Sequence, residues 1–145
     1  MYNRIAVVAE DSPRARAALA HALALATKTP GAALRFIVPF EVPVILTEQK
    51  GVDAATYADQ SREEAGMLLD EFRTVARRAG IEPDGVLIDC STTGYARRVA
   101  SDAEKWKADT IVLGEAKRRG LARFLGRSLA TEISKATSIA VTSVP

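Results

Sequence analysis

The densest chemistry in the chain lies between Gly114 and Ser128. Five basic residues, Lys117, Arg118, Arg119, Arg123 and Arg127, stand there against one acid, Glu115, a local charge of +4 in a chain whose net charge is +2. A glycine opens the stretch and a serine able to start a helix closes it. Backbone N–H groups at a helix N-terminus favour anions, and so do Lys and Arg side chains, so the pattern fits a phosphate or other anion site. A solvated basic loop with Ser128 as a plain helix cap fits the same spacing. A second candidate is the acidic turn Glu10-Asp11-Ser12, where Asp11 can either face a ligand or cap the following helix. The lone His21 has no second histidine for a metal pair and reads as structural. Cys90, the single cysteine, has no resolving partner and reads as a small hydrophobe. The sequence holds no Ser-His-Asp set, no GxSxG, no Walker A lysine-serine pair and no metal-ligand spacing. A catalytic constellation is therefore not expected.

The elements that must position these residues alternate. Ile5 to Ala9 is a short apolar run rich in β-branched residues and reads as a buried strand. Asp11-Ser12-Pro13 then signals a helix start. That helix extends to about Lys28, with Ala18, Leu19, Ala22, Leu25 and Ala26 on one stripe. Leu34 to Val38 is a second strand, ended by Pro39, and an irregular loop covers 40–52. A second helix spans about Asp53 to Arg78, its apolar face formed by Ala65, Leu68, Leu69, Phe72, Val75, Ala76 and Ala79. Gly85 to Cys90 is the third strand. The third helix, about Tyr95 to Lys107, buries Val99, Ala103 and Trp106. Thr110 to Leu113 is the fourth strand. The basic segment 115–126 is loop-like, a last helix starts near Ser128, and Ile139 to Val144 is the fifth strand. Right-handed crossovers between alternating strands and helices require a parallel sheet with helices on both faces.

Length and composition limit the function. The chain has 145 residues, enough for one core, and one domain over 1–145 is expected. Hydrophobic residues make up 48% and charged residues 26%, the balance of a globular domain in water. No apolar run approaches the roughly 20 residues of a membrane span, and a cytoplasmic protein is expected. The basic cluster has only Phe124 as an aromatic, which argues against stacking on nucleic acid. In a doubly wound sheet, ligands bind beyond the carboxyl ends of the strands, so the turns after Ala9, Val38, Cys90 and Gly114 are the candidate walls of a site.

These pieces, in this order, resemble the universal stress protein family. Ile5 to Ser12 resembles its first strand and turn, Ala108 to Gly114 its fourth strand, and Gly120-Leu121, Arg123 and Ser128-Leu129-Ala130 the segment that follows. The resemblance covers the whole chain. It implies an α/β fold, a single doubly wound, Rossmann-like sheet of five strands in the order 3-2-1-4-5, similar to adenine nucleotide alpha hydrolases. It also implies a homodimer through the last strand, with Val141 and Val144 as candidate interface residues, and a role in stress response or regulation, with a regulatory protein partner possible. The implied ligand is ATP or another nucleotide. Candidate ligand residues are Ala9, Glu10, Asp11, Val38, Gly114, Lys117, Arg127, Ser128 and Leu129.

The departures decide what to expect of that ligand. ATP-binding members carry G-x2-G-x9-G-[ST] after the fourth strand. Here Gly114 and Ser128 are kept, but Lys117 and Arg127 occupy the second and third glycine positions. The family's Asp-Gly after the first strand is Glu10-Asp11. Glycine lets a backbone approach a triphosphate closely, and a Cβ obstructs that approach. Lys and Arg add attractive charge, but on flexible side chains. Weakened or absent ATP binding is therefore expected. Binding of an anionic nucleotide through Gly114, Lys117, Arg127 and Ser128 is the alternative. A small nucleotide-handling enzyme of the same architecture is a further one, with only Glu10, Asp11 and Glu115 available as a base.

Overall fold

The computed structural model describes residues 2–10, 12–42, 54–91, 93–114 and 128–145. The elements are β1 (Arg4–Val8), α1 (Pro13–Ala26), β2 (Ala33–Phe40), α2 (Ala54–Arg78), β3 (Glu82–Asp89), α3 (Tyr95–Trp106), β4 (Thr110–Gly114), α4 (Leu129–Ala136) and β5 (Ala140–Val144). The five strands form one sheet in the order β3-β2-β1-β4-β5. Every neighbouring pair is parallel, with Ile5 opposite both Leu34 and Thr110. The expected α/β fold and strand order are borne out.

Alternation along the strands splits the core in two. Ile5, Val7, Leu34, Phe36, Val38 and Val112 face α1 and α2. Ala6, Val8, Ile37, Ile111 and Leu113 face α3 and α4. Both faces are covered, which is why the central strands read as continuous apolar runs. On the first face, Phe36 meets Phe72 of α2 edge to face, with ring centroids 5.6 Å apart.

Several sequence expectations need correction. β2 does not stop at Pro39 but runs to Phe40. Ala33 donates to Asn3, and Ile37 accepts from Ala9, so the odd residues of β2 face β1. β1 pairing has ended by Pro39, so its missing N–H costs no ladder bond. β3 starts three residues before Gly85, at Glu82, and ends at Asp89, with Cys90 just beyond it. Cys90 donates its N–H to Phe40, so the even residues of β3 face β2 and Pro83 points its nitrogen at the open edge. Ala9 lies just past β1, and its N–H still bonds to Ile37. Ser12 caps α1, its Oγ accepting from Ala15 N–H at 3.1 Å, and Asp11 lies outside the described residues. Trp106 is half-buried rather than core, and the Arg4 guanidinium lies 4.1 Å from its ring centroid. His21 and Ala79 are exposed, whereas Leu25, Leu68 and Val75 are half-buried and packed against the core, as their stripe implied.

Polar contacts fix the amino-terminal side of the sheet. Asp109 Oδ2 accepts from the N–H groups of Asn3 and Arg4 at 2.7 and 2.9 Å, tying β1 to the start of β4. Arg35 reaches from β2 to α3 and makes two bonds with Asp102, at 2.7 and 2.9 Å, and a third with Asp84 at 2.7 Å. The Asp102 hydrogen bonds raise the Arg35 pKa above its ordinary range, against the opposing cost of burial. A raised cationic pKa gives stability that is fully present below the ordinary arginine value. It is lost only as pH rises through the higher folded value, so the arginine adds no pH dependence near neutrality.

Candidate functional site

A cavity of about 410 Å³ opens beyond the carboxyl ends of the sheet. Glu10 enters it from the end of β1, and Val38, Pro39, Phe40 and Glu41 from the end of β2. The first half of α2 contributes Tyr57, Gln60, Ser61, Glu64, Ala65 and Leu68. The opposite wall is Cys90 after β3, Tyr95 at the start of α3 and Leu129 at the start of α4. This is the place where an open parallel sheet presents its loops to a ligand.

Local bonds hold the walls. Ser12 Oγ, while capping α1, lies 3.3 Å from Glu10 Oε2 and donates to it. Glu41 N–H donates to Ser61 Oγ at 2.9 Å, pinning α2 to the end of β2. The Arg62 guanidinium lies 4.6 Å from the Phe40 ring centroid at the same junction. Tyr95 and Cys90 are buried. Ser128 Oγ accepts from Thr131 N–H at 3.0 Å, so this serine serves as the cap of α4.

Of the residues expected at the site, Glu10, Val38 and Leu129 line the cavity. Ala9 is fully buried beside Glu10, and Gly114 and Ser128 end β4 and cap α4, but none of these three forms part of its wall. Asp11, Lys117 and Arg127 lie outside the described residues. Gly114 has a packing reason to be glycine: a Cβ there would stand 2.5 Å from the backbone carbon and oxygen of Arg14 in α1.

The sequence reading missed Glu41 and the whole contribution of α2. Helix length held the signal. The 25 residues of α2 span about 37 Å, whereas the 8 residues of β2 or β3 span about 26 Å. A helix that returns along such strands must overhang one end, and its polar first turns overhang the ligand end.

Sheet order, the cavity at the carboxyl ends and the match over the full length together identify the chain. Residues 1–145 match the universal stress protein family. The chain belongs to that family. Its fold is similar to that of a universal stress protein from Burkholderia pseudomallei, with 24% identity, a TM-score of 0.76, and coverage of 99% of this chain and 96% of that one. A universal stress protein in complex with cAMP matches at 20% identity and a TM-score of 0.69, covering 99% of this chain and 97% of that one. The Archaeoglobus fulgidus protein in complex with dAMP matches at 19% identity and a TM-score of 0.68, covering 100% and 98%. No significant match was found among curated proteins. Among the described residues, no helix is long and apolar enough to cross a membrane, and no cluster of three His, Cys, Asp or Glu side chains could hold a metal ion.

Proposed function

We propose that this universal stress protein is a cytoplasmic regulatory protein that works by binding rather than catalysis, as one domain that pairs into a homodimer, and that it binds ATP weakly or not at all. The observation that carries this reading is the pairing of a ligand cavity with a degenerate loop: Lys117 and Arg127 stand where ATP-binding relatives have glycine. The carboxylates of Glu10, Glu41 and Glu64 in the cavity wall support it, because like charge disfavours a triphosphate. The cAMP and dAMP complexes of structural relatives favour the second reading, a sensor of a nucleotide with fewer phosphates.

Isothermal titration with ATP at two salt concentrations separates these. Wild-type protein is expected to give little heat. The double change Lys117→Gly with Arg127→Gly is expected to improve binding by restoring close backbone approach. Tight, salt-sensitive binding by wild type that the glycine pair abolishes would mean that the two cations are ligands, and the reading would fail.

The dimer reading draws support from the contrast between the two sheet edges. β3 is guarded: Pro83 faces outward, Gly85 N–H is taken by the Asp84 carboxylate at 2.8 Å, and the Asp89 carbonyl by Arg98 at 2.5 Å. β5 carries no charge and no proline within Ala140–Val144, and its Val141 and Val144 are half-buried. An apolar, unguarded edge invites strand pairing. A dimer is expected by sedimentation at micromolar concentration, with Val141→Lys and Val144→Lys shifting it to monomer. A wild-type monomer under those conditions would count against pairing through β5.

A further inference from the structure

We propose that the first turns of α2, residues 56–64, form a hinged lid over the cavity, pivoting at Gly66 and latched to the end of β2. This rests on the cavity being the ligand site, as argued above. Among the described side chains of 56–64 none is buried, whereas Ala65, Leu69, Phe72 and Ala76 fix the rest of the helix in the core. The same turns supply Tyr57, Gln60, Ser61 and Glu64 to the cavity wall. A stretch that covers a ligand space without burying side chains of its own belongs to the least stable part of a fold, from which lids are drawn.

Gly66 stands where the lid meets the anchored part of the helix. Packing does not demand a glycine there, because an added Cβ would have nothing within 4 Å. Gly114 differs, since its Cβ would run into the backbone of Arg14. Glycine inside a helix makes local opening about fivefold more favourable than alanine does, which is the property a hinge needs. Two contacts hold the lid against β2. Glu41 N–H donates to Ser61 Oγ at 2.9 Å, and the Arg62 guanidinium lies 4.6 Å from the Phe40 ring centroid. The hydrogen bond is exposed to water, and such a bond changes an equilibrium by a factor of about five. Neither contact involves the buried stripe of α2, so the lid can lift while Leu69, Phe72 and Ala76 stay in place.

Cys90 makes the opening measurable. It is the single cysteine, and it is buried in the cavity wall opposite the lid. N-ethylmaleimide, added in excess to the full-length protein, alkylates this thiol only when the reagent can enter, so the labelling rate reads the opening. Wild-type labelling is expected to be faster than global unfolding allows and to stay flat at low urea, the behaviour of a local opening. Ser61→Ala is expected to raise the rate about fivefold, and Gly66→Ala to lower it about fivefold. Should Ser61→Ala fail to fold, Arg62→Ala tests the same latch through the Phe40 ring. Ile5→Val is the control, at the far end of β1 and fully buried. It should lower the urea midpoint and leave labelling without urea unchanged. Labelling that follows global unfolding overturns the proposal, as do equal rates in wild type and the lid variants, or a rise with Ile5→Val as large as with Ser61→Ala. The measurement contains no nucleotide, so the two readings fail separately. Tight ATP binding overturns the degenerate-loop reading and leaves the lid standing, and labelling that follows global unfolding removes the lid alone.

Discussion

Gly114→Ala is expected to destabilise the protein by about 3 kcal/mol, at the upper end of ordinary overpacking. The added Cβ would stand 2.5 Å from both the carbonyl carbon and the oxygen of Arg14, and 2.8 Å from its Cβ. Two of these atoms are backbone, so no side chain can swing away. The first turn of α1 has to move off the end of β4, and it carries Ser12, which both caps the helix and anchors Glu10. Damage at Gly114 is therefore expected to reach the cavity through α1. Gly66→Ala is the control. It lies within α2 with nothing within 4 Å of the added carbon, so a gain of about 0.5–1 kcal/mol is expected from helix propensity. Urea unfolding of both variants checks the pair. A Gly114→Ala protein as stable as wild type would mean that α1 and β4 do not approach this closely.

Phe72→Ala is expected to cost about 3–5 kcal/mol, the range for removing a fully buried aromatic. Phe72 is 0% exposed and sits where α2 packs on the sheet. The change empties the space against Phe36 and removes the edge-to-face contact, itself worth about 0.5–1.5 kcal/mol beyond area burial. It also takes away the ring beneath Arg16, whose guanidinium lies 5.6 Å from the Phe72 centroid and whose Nη1 pairs with Glu71. Phe72→Leu keeps most of the volume and should cost less than half as much. Calorimetric unfolding of the two variants tests this. A loss under about 1.5 kcal/mol for Phe72→Ala would show that the site collapses around the missing ring. Because α2 also carries Tyr57, Ser61 and Glu64, its loosening should weaken any ligand binding in the cavity more than the same loss of stability elsewhere.

Where the sequence reading slipped, tertiary context decided the outcome. Pro39 reads locally as a stop, yet β2 runs through it, because strand pairing on that side has already ended. Pro83 and Gly85 hid the start of β3, because an edge strand tolerates a proline whose nitrogen faces outward. Gly85 lies beneath the Leu69 side chain, whose Cδ1 an added Cβ would meet. Trp106 has the spacing of a core residue, but it sits at the rim under Arg4, where a large ring can keep one face on a cation.

The sequence by itself determined the alternation of strands and helices, the helix start at Ser12-Pro13 and the apolar faces of α1 and α2. Through the handedness of crossovers it also determined a parallel sheet. These depend on signals a few residues apart: periodicity, caps and breakers. Only the tertiary structure decided that Glu10, Glu41 and Glu64, far apart in the chain, share one cavity. Only it decided that Gly114 faces the backbone of Arg14. The reason is physical. Sheet order sets which loop ends become neighbours, and the overhang of α2 sets which of its turns reach them, and neither is encoded in any short stretch of sequence.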